Sequence, residues 1–160
     1  MRIDHIEETL EKCTEHLSSA SAYGTEIESL LTQSLLVLMC VEFERKIKAL
    51  VQEQCSSVTD TSIKVFIISC VGVVFRSAGS GEMAGLLNRF GSTHKEAFNQ
   101  KTKENQRAVT YYDNIVTNRN RIAHSEGSSN ATFQEVKRFY EEGHVVLDYF
   151  REALLSNAYH

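Results

Sequence analysis

An all-α helical bundle of about five to six helices is the fold this sequence predicts, on three observations. None of its 160 residues is proline, where average usage of ~5% would give about eight; proline interrupts helix interiors, so long unbroken helices explain its absence. Apolar residues recur at steps of three and four along most of the chain, the period of one helix face. No stretch alternates well enough to pair with the single strand-like run at residues 65–75. The length suits one domain with one hydrophobic core, residues 1–160.

The first helix follows Ile3, Ile6, Leu10, Cys13 and Leu17, and residues 18–24 (S-S-A-S-A-Y-G) read as its end and a loop. Cys13 and His16 have a metal-compatible spacing but no second pair nearby. Thr25 with Glu28 then reads as a capping box. It opens a long helix to about residue 54, whose centre, L-L-V-L-M-C-V at 35–41, is apolar all round and is expected to be buried. Phe43, Ile47, Leu50 and Val51 continue its inward stripe, while Glu42, Glu44 and Arg45 interrupt the apolar run.

Asp60 can cap a third helix from 61 to about 77. Its run from Val65 suits a buried strand by propensity, but without a partner strand it reads as a buried helix. Residues 78–85 (A-G-S-G-E-M-A-G) lack the Lys-Ser/Thr of a phosphate-binding P-loop. They read as a flexible connection before a short helical turn from Met83 to Arg89, closed by Gly91. Ser92 starts the next helix, and 104–123 form another, carrying Tyr111 and Tyr112, each suited to the core or to stacking on a base. Thr132 and Glu135 make a second capping box for a last long helix marked by Phe133, Val136, Tyr140, Leu147, Phe150 and Leu154, where Gly143 allows close packing.

The net charge of −4 argues against a general polyanion binder. Residues 89–121 nevertheless hold seven Lys or Arg against Glu96, Glu104 and Asp113, which is either a solvated helix face or a local polyanion contact. No signal peptide or membrane span is visible, and the four cysteines form no CxxC pair, so reduced thiols in a cytoplasmic protein are expected. Nothing calls for a cofactor or a metal.

The most informative stretch is D-N-I-V-T-N-R-N-R-I-A-H-S-E-G at 113–127. Val109, Tyr112, Val116, Arg119 and Ala123 lie on one helix face, which puts a guanidinium on an apolar stripe. A guanidinium is rarely buried unpaired, so Arg119 either meets a carboxylate, with Glu44 the first candidate, or faces a polar cleft or a subunit interface. Five residues of helix turn the chain by roughly 140° and advance it ~7.5 Å. His124 therefore converges with Arg119 only if the helix ends near it, for which Gly127 is a suitable left-handed cap, or across a dimer. Histidine moves protons near neutral pH, arginine holds phosphate by two hydrogen bonds, and Asn120 can orient either. Together they suffice for metal-independent RNA cleavage through the ribose 2′-OH.

Arg119-Asn120-Arg121-Ile122-Ala123-His124 matches the R-N-x3-H form of the R-x4-6-H motif of HEPN domains. With Phe43-Glu44-Arg45, similar to an F-E-x segment, and the motif just before the last long helix, the chain resembles RiboL-PSP-type HEPN proteins. The resemblance implies a homodimeric endoribonuclease with RNA as substrate and two motifs facing one cleft. It makes His124 the acid–base residue, Arg119 the phosphate contact and Asn120 the positioning residue. Glu44, orienting Arg119, and Arg121 are supporting residues. It also implies a toxin–antitoxin or antiphage setting with a partner protein. The toxin subgroup with R-x4-H-x-Y has tyrosine where this chain has Glu126, so control through that tyrosine is not implied. The alternatives are a non-catalytic interaction module, such as an antitoxin-like subunit, and a nucleotide-binding bundle.

Overall fold

The long second helix is the axis on which the other helices pack. A computed structural model describes residues 1–74, 77–124 and 131–156. Among these residues the chain forms α1 (Asp4–Ser19), α2 (Glu26–Gln54), a 3-10 turn (Cys55–Ser57), α3 (Thr61–Val74), α4 (Ser80–Phe90), α5 (Ser92–Glu104), α6 (Gln106–Ala123), α7 (Phe133–Gly143) and α8 (Val145–Leu155), with no strand. The all-α prediction holds. More segments are present than the five to six expected: α4–α5, α5–α6 and α7–α8 are each divided by one residue, and the last of these divisions, at His144, splits what the sequence reads as one long final helix. Gly91 breaks the first pair at φ 151°. Asn105 breaks the second, its side chain accepting from the Ala108 amide at 3.2 Å to start α6.

α2 packs against α1, α6, α7 and α8, and α6 against α7 is the most extensive pairing. Ile6, Leu10 and Leu17 of α1 and Phe43, Ile47, Leu50 and Val51 of α2 are buried as their spacing predicts. Phe43 lies between Tyr112 of α6 and Tyr140 of α7, with ring centroids 4.9 and 6.4 Å away. Thr132 and Glu135 form the full capping box at α7, and the Asp60 carboxylate accepts from the Ser62 and Ile63 amides at 2.8 and 3.1 Å.

Several expectations are corrected. Thr25 does not cap α2 with its side chain. Glu28 instead accepts from the Gly24 amide at 2.6 Å and, across the bundle, from the Phe133 amide at 3.0 Å. One carboxylate thus serves two helix starts. The apolar centre of α2 is not buried all round, because Val37 and Val41 are exposed on a side that the other described helices leave open. α3 is a helix but not a buried one; of its described side chains only Val71 is buried. The glycine-rich stretch is not a flexible connection but the start of α4, which begins at Ser80. Its missing local cap comes from α6, where Asp113 accepts from the Ser80 amide at 2.9 Å and its hydroxyl at 2.6 Å. Ala123 is exposed, and the inner face of α6 runs instead through Tyr112, Ile115, Val116 and Asn118.

Candidate nuclease site

α6 is held on one side by α2 and on another by α7, and its last turns carry the R-N-x3-H motif. Arg119 lies over α2, and its Nη2 donates to Glu44 Oε1 at 2.8 Å, both side chains being 23% exposed. The guanidinium on the apolar stripe is therefore paired, yet remains open to solvent on part of its surface. One turn before Glu44, the buried Cys40 thiol approaches the Ile115 carbonyl at 4.0 Å. Burial pushes that thiol above its ordinary pKa, and a hydrogen bond with Arg119 partly opposes the rise. Beside them the Tyr112 hydroxyl is fully buried and has no hydrogen-bond partner among the described residues. Burial, with the Cys40 thiol next in effect, pushes its pKa well above the usual phenol value.

A partly exposed ion pair contributes little by itself, but removing one partner leaves the other charge poorly solvated. Glu44→Gln keeps an acceptor and removes the charge. It is expected to lower stability by about 1 kcal/mol, roughly 2–4 °C in melting temperature for a domain of this size. A melt unchanged from wild type would mean that the pair does not tie α2 to α6.

The other motif side chains point elsewhere. Asn120 lines an open polar cleft of about 280 Å³ between α6 and the start of α4, with Ser80, Asp113 and Thr117. Arg121 is exposed and forms no ion pair among the described residues. His124 follows the last residue of α6 as its cap, its amide donating to the Asn120 carbonyl at 3.0 Å. Its imidazole is exposed and has no hydrogen-bond partner among the described residues. The helix thus ends where convergence with Arg119 requires, but among the described residues of one chain the only pair of candidate site residues brought into contact is Arg119 and Glu44. The proposed cap Gly127, with Ser125, Glu126, Ser128 and Ser129, lies outside the described residues.

Three of the seven cations at 89–121, Lys101, Arg107 and Arg119, are neutralised by carboxylates from other helices. Lys101 pairs with Glu152, and Arg107 and Arg138 share Glu142 at 2.7 and 3.2 Å. Tyr111 is not an open stacking platform: Phe139 stacks on it at 5.7 Å, and the guanidinium groups of Arg107 and Arg138 lie 5.5 and 5.4 Å from its ring centre. Two polar residues were missed. Asn118 is buried beside Arg119 and donates to the Asn114 carbonyl at 2.8 Å; the three- and four-residue steps of Ile115, Asn118 and Ile122 could have revealed it. Glu42 is buried and joins Arg45 at 3.0 Å and His5 of α1 at 3.4 Å.

Among the described residues no group of three or more His, Cys, Asp and Glu is placed to hold a metal ion, and no helix is long and apolar enough to cross a membrane. No curated protein and no solved structure matches the chain. The family model described as RiboL-PSP-HEPN matches residues 1–156, spanning every helix described above and the R-N-x3-H motif at the end of α6. The chain belongs to the RiboL-PSP-HEPN family.

Proposed function

We propose that the protein is a metal-independent endoribonuclease that acts as a homodimer. The observation that carries this is the end of α6, where Glu44 orients a partly open Arg119 while His124 stands exposed at the helix cap. HEPN domains are generally ribonuclease-like, and these side chains have the chemistry the reaction needs. His124 removes the proton from a ribose 2′-OH, whose oxygen attacks the adjacent phosphorus. Arg119 stabilises the charge that builds on the phosphate oxygens, and Asn120 holds the phosphate in position. The bond to the 5′-oxygen breaks, and the leaving oxygen takes a proton from the second copy's imidazolium, which becomes neutral. The products are a 2′,3′-cyclic phosphate and a 5′-hydroxyl end. Arg121, exposed and unpaired among the described residues, contacts a neighbouring phosphate.

The second copy has a surface to meet. Leu30, Val37 and Val41 form an exposed apolar stripe on α2 that reaches Glu44 three residues later. Pairing along this stripe by a two-fold axis makes the contact self-complementary and brings two Arg119 and two His124 to one cleft. A cytoplasmic toxin–antitoxin or antiphage role fits an RNA-cleaving enzyme of this kind, and its expression is then expected to arrest growth.

The test is RNA cleavage by the purified protein in EDTA, with the product ends identified. Cleavage leaving cyclic phosphate is the expected result. A requirement for Mg²⁺, 3′-hydroxyl products or an inert folded dimer would overturn the reading, the last pointing to an interaction module. Val41→Lys places a charge in the stripe and is expected to give a monomer by light scattering, with cleavage lost in parallel. A monomeric variant cleaving at the wild-type rate would remove the dimer from the mechanism.

A further inference from the structure

α3 is predominantly apolar, T-S-I-K-V-F-I-I-S-C-V-G-V-V, with Lys64 its one charge, yet it lies at the edge of the bundle, on the end of α2 and the Cys55–Ser57 turn. Ile63, Val65 and Phe66 are 51, 61 and 67% exposed. Scattered apolar side chains on a surface need no explanation, but a contiguous helix of them marks an interaction site. Clefts open on both flanks. One, of about 410 Å³, lies between Phe66, Ile67 and Cys70 of α3 and Leu86, Arg89 and Phe90 of α4. The other, of about 190 Å³, lies between Ile68 and Val71 of α3 and Lys48 and Val51 of α2.

The charges around these clefts indicate the occupant. Arg89 lines the first cleft and Lys48 the second, Lys64 stands on α3 beside its exposed apolar side chains, and none of the three has a carboxylate partner among the described residues. Asp60, at the start of α3, is occupied by the amides it caps. A second copy of this face would set like charges against one another across a two-fold axis. A membrane surface suits a helix with one strongly polar side and low mean hydropathy, which α3 is not, and would leave concave clefts unfilled.

We infer that α3 and its two flanking clefts dock an acidic amphipathic helix of another protein. Large aliphatic or aromatic side chains of that helix enter the α3–α4 cleft, and Asp or Glu at its margins meet Arg89, Lys48 and Lys64. Apolar anchors at helical spacing in a groove, with opposite charges at the rim, are the usual elements of such recognition. The surface shares no residue with the candidate nuclease site, so the inference stands or falls apart from the ribonuclease reading.

The test uses the full chain and a display library of helical peptides about four turns long. One face of each peptide is apolar, and the flanking positions vary among Asp, Glu, Lys, Arg and Ser. The expected pool is enriched in Asp and Glu at the flanks. Its peptides should lose about tenfold in affinity, or about 1.4 kcal/mol, on Phe66→Ser, and Arg89→Glu should reverse the preference toward Lys and Arg. Both substitutions are at side chains outside the buried core, so the variants remain folded. A pool with no carboxylate enrichment, or one that binds Phe66→Ser as tightly as wild type, overturns the inference. So does sedimentation with phosphatidylserine vesicles that Phe66→Ser abolishes, or a wild-type dimer that Phe66→Ser turns into monomer.

Discussion

His124→Ala is expected to slow RNA cleavage by about 10²–10⁴-fold, the range for losing a positioned acid–base group, while the melting temperature stays within about 2 °C of wild type. The second half of this expectation makes the first interpretable. The imidazole is exposed and makes no hydrogen bond among the described residues, so its removal opens no cavity and strands no partner among them. The cap contact of residue 124 uses the backbone amide, which alanine keeps. Arg119→Ala is a poorer probe, because it leaves Glu44 charged, partly buried and unpaired. Arg119→Lys separates charge from geometry: a lysine retains the positive charge but cannot grip phosphate by two parallel hydrogen bonds. Cleavage at the wild-type rate by His124→Ala would remove histidine from the chemistry and leave Arg119 as a binding residue only.

Gly143→Ala should be the most destabilising small substitution in the chain. A Cβ at this last residue of α7 would lie 2.7 Å from the Tyr112 nitrogen, 2.9 Å from the Tyr112 Cα and 3.2 Å from the Tyr111 carbonyl carbon. All three are backbone atoms of α6, so no side chain can swing aside and the two helices must separate. Overpacking of this kind costs about 1–3 kcal/mol. The gain from replacing glycine in a helix is about 1 kcal/mol at an interior position and less at the end of α7, so the clash dominates. A fall of roughly 2–10 °C in melting temperature is expected. Gly143→Val should be worse than alanine. An alanine variant that melts with wild type would show that α7 can tilt away from α6 without loss.

Gly143 also marks the limit of a one-dimensional reading. The glycine within the last helical pattern suggested close packing, but its partner, the backbone of Tyr111 and Tyr112, is more than thirty residues away. Arg119 was similarly informative: a guanidinium on an apolar stripe demanded a carboxylate, and Glu44 on the second helix was the nearest candidate in pattern. The structure contains that ion pair. The motif residues Asn120, Arg121 and His124 could be identified from spacing and resemblance, and helix geometry already separated His124 from Arg119; what each side chain meets, such as the cleft beside α4 that Asn120 lines, could not be read.

Helix type, the cap of α7 and the inward stripes of α1 and α2 were legible because they are local. Backbone hydrogen bonds, caps and the 3.6-residue period join residues a few positions apart. The exposure of α3, the cap that Asp113 gives α4 and the neutralisation of Lys101 and Arg107 by Glu152 and Glu142 are decisions between distant segments. An apolar pattern states that a face is better covered than wet; it does not say whether this chain supplies the cover. For α3 the described chain supplies little of it, which only the packing of the other helices around α2 reveals.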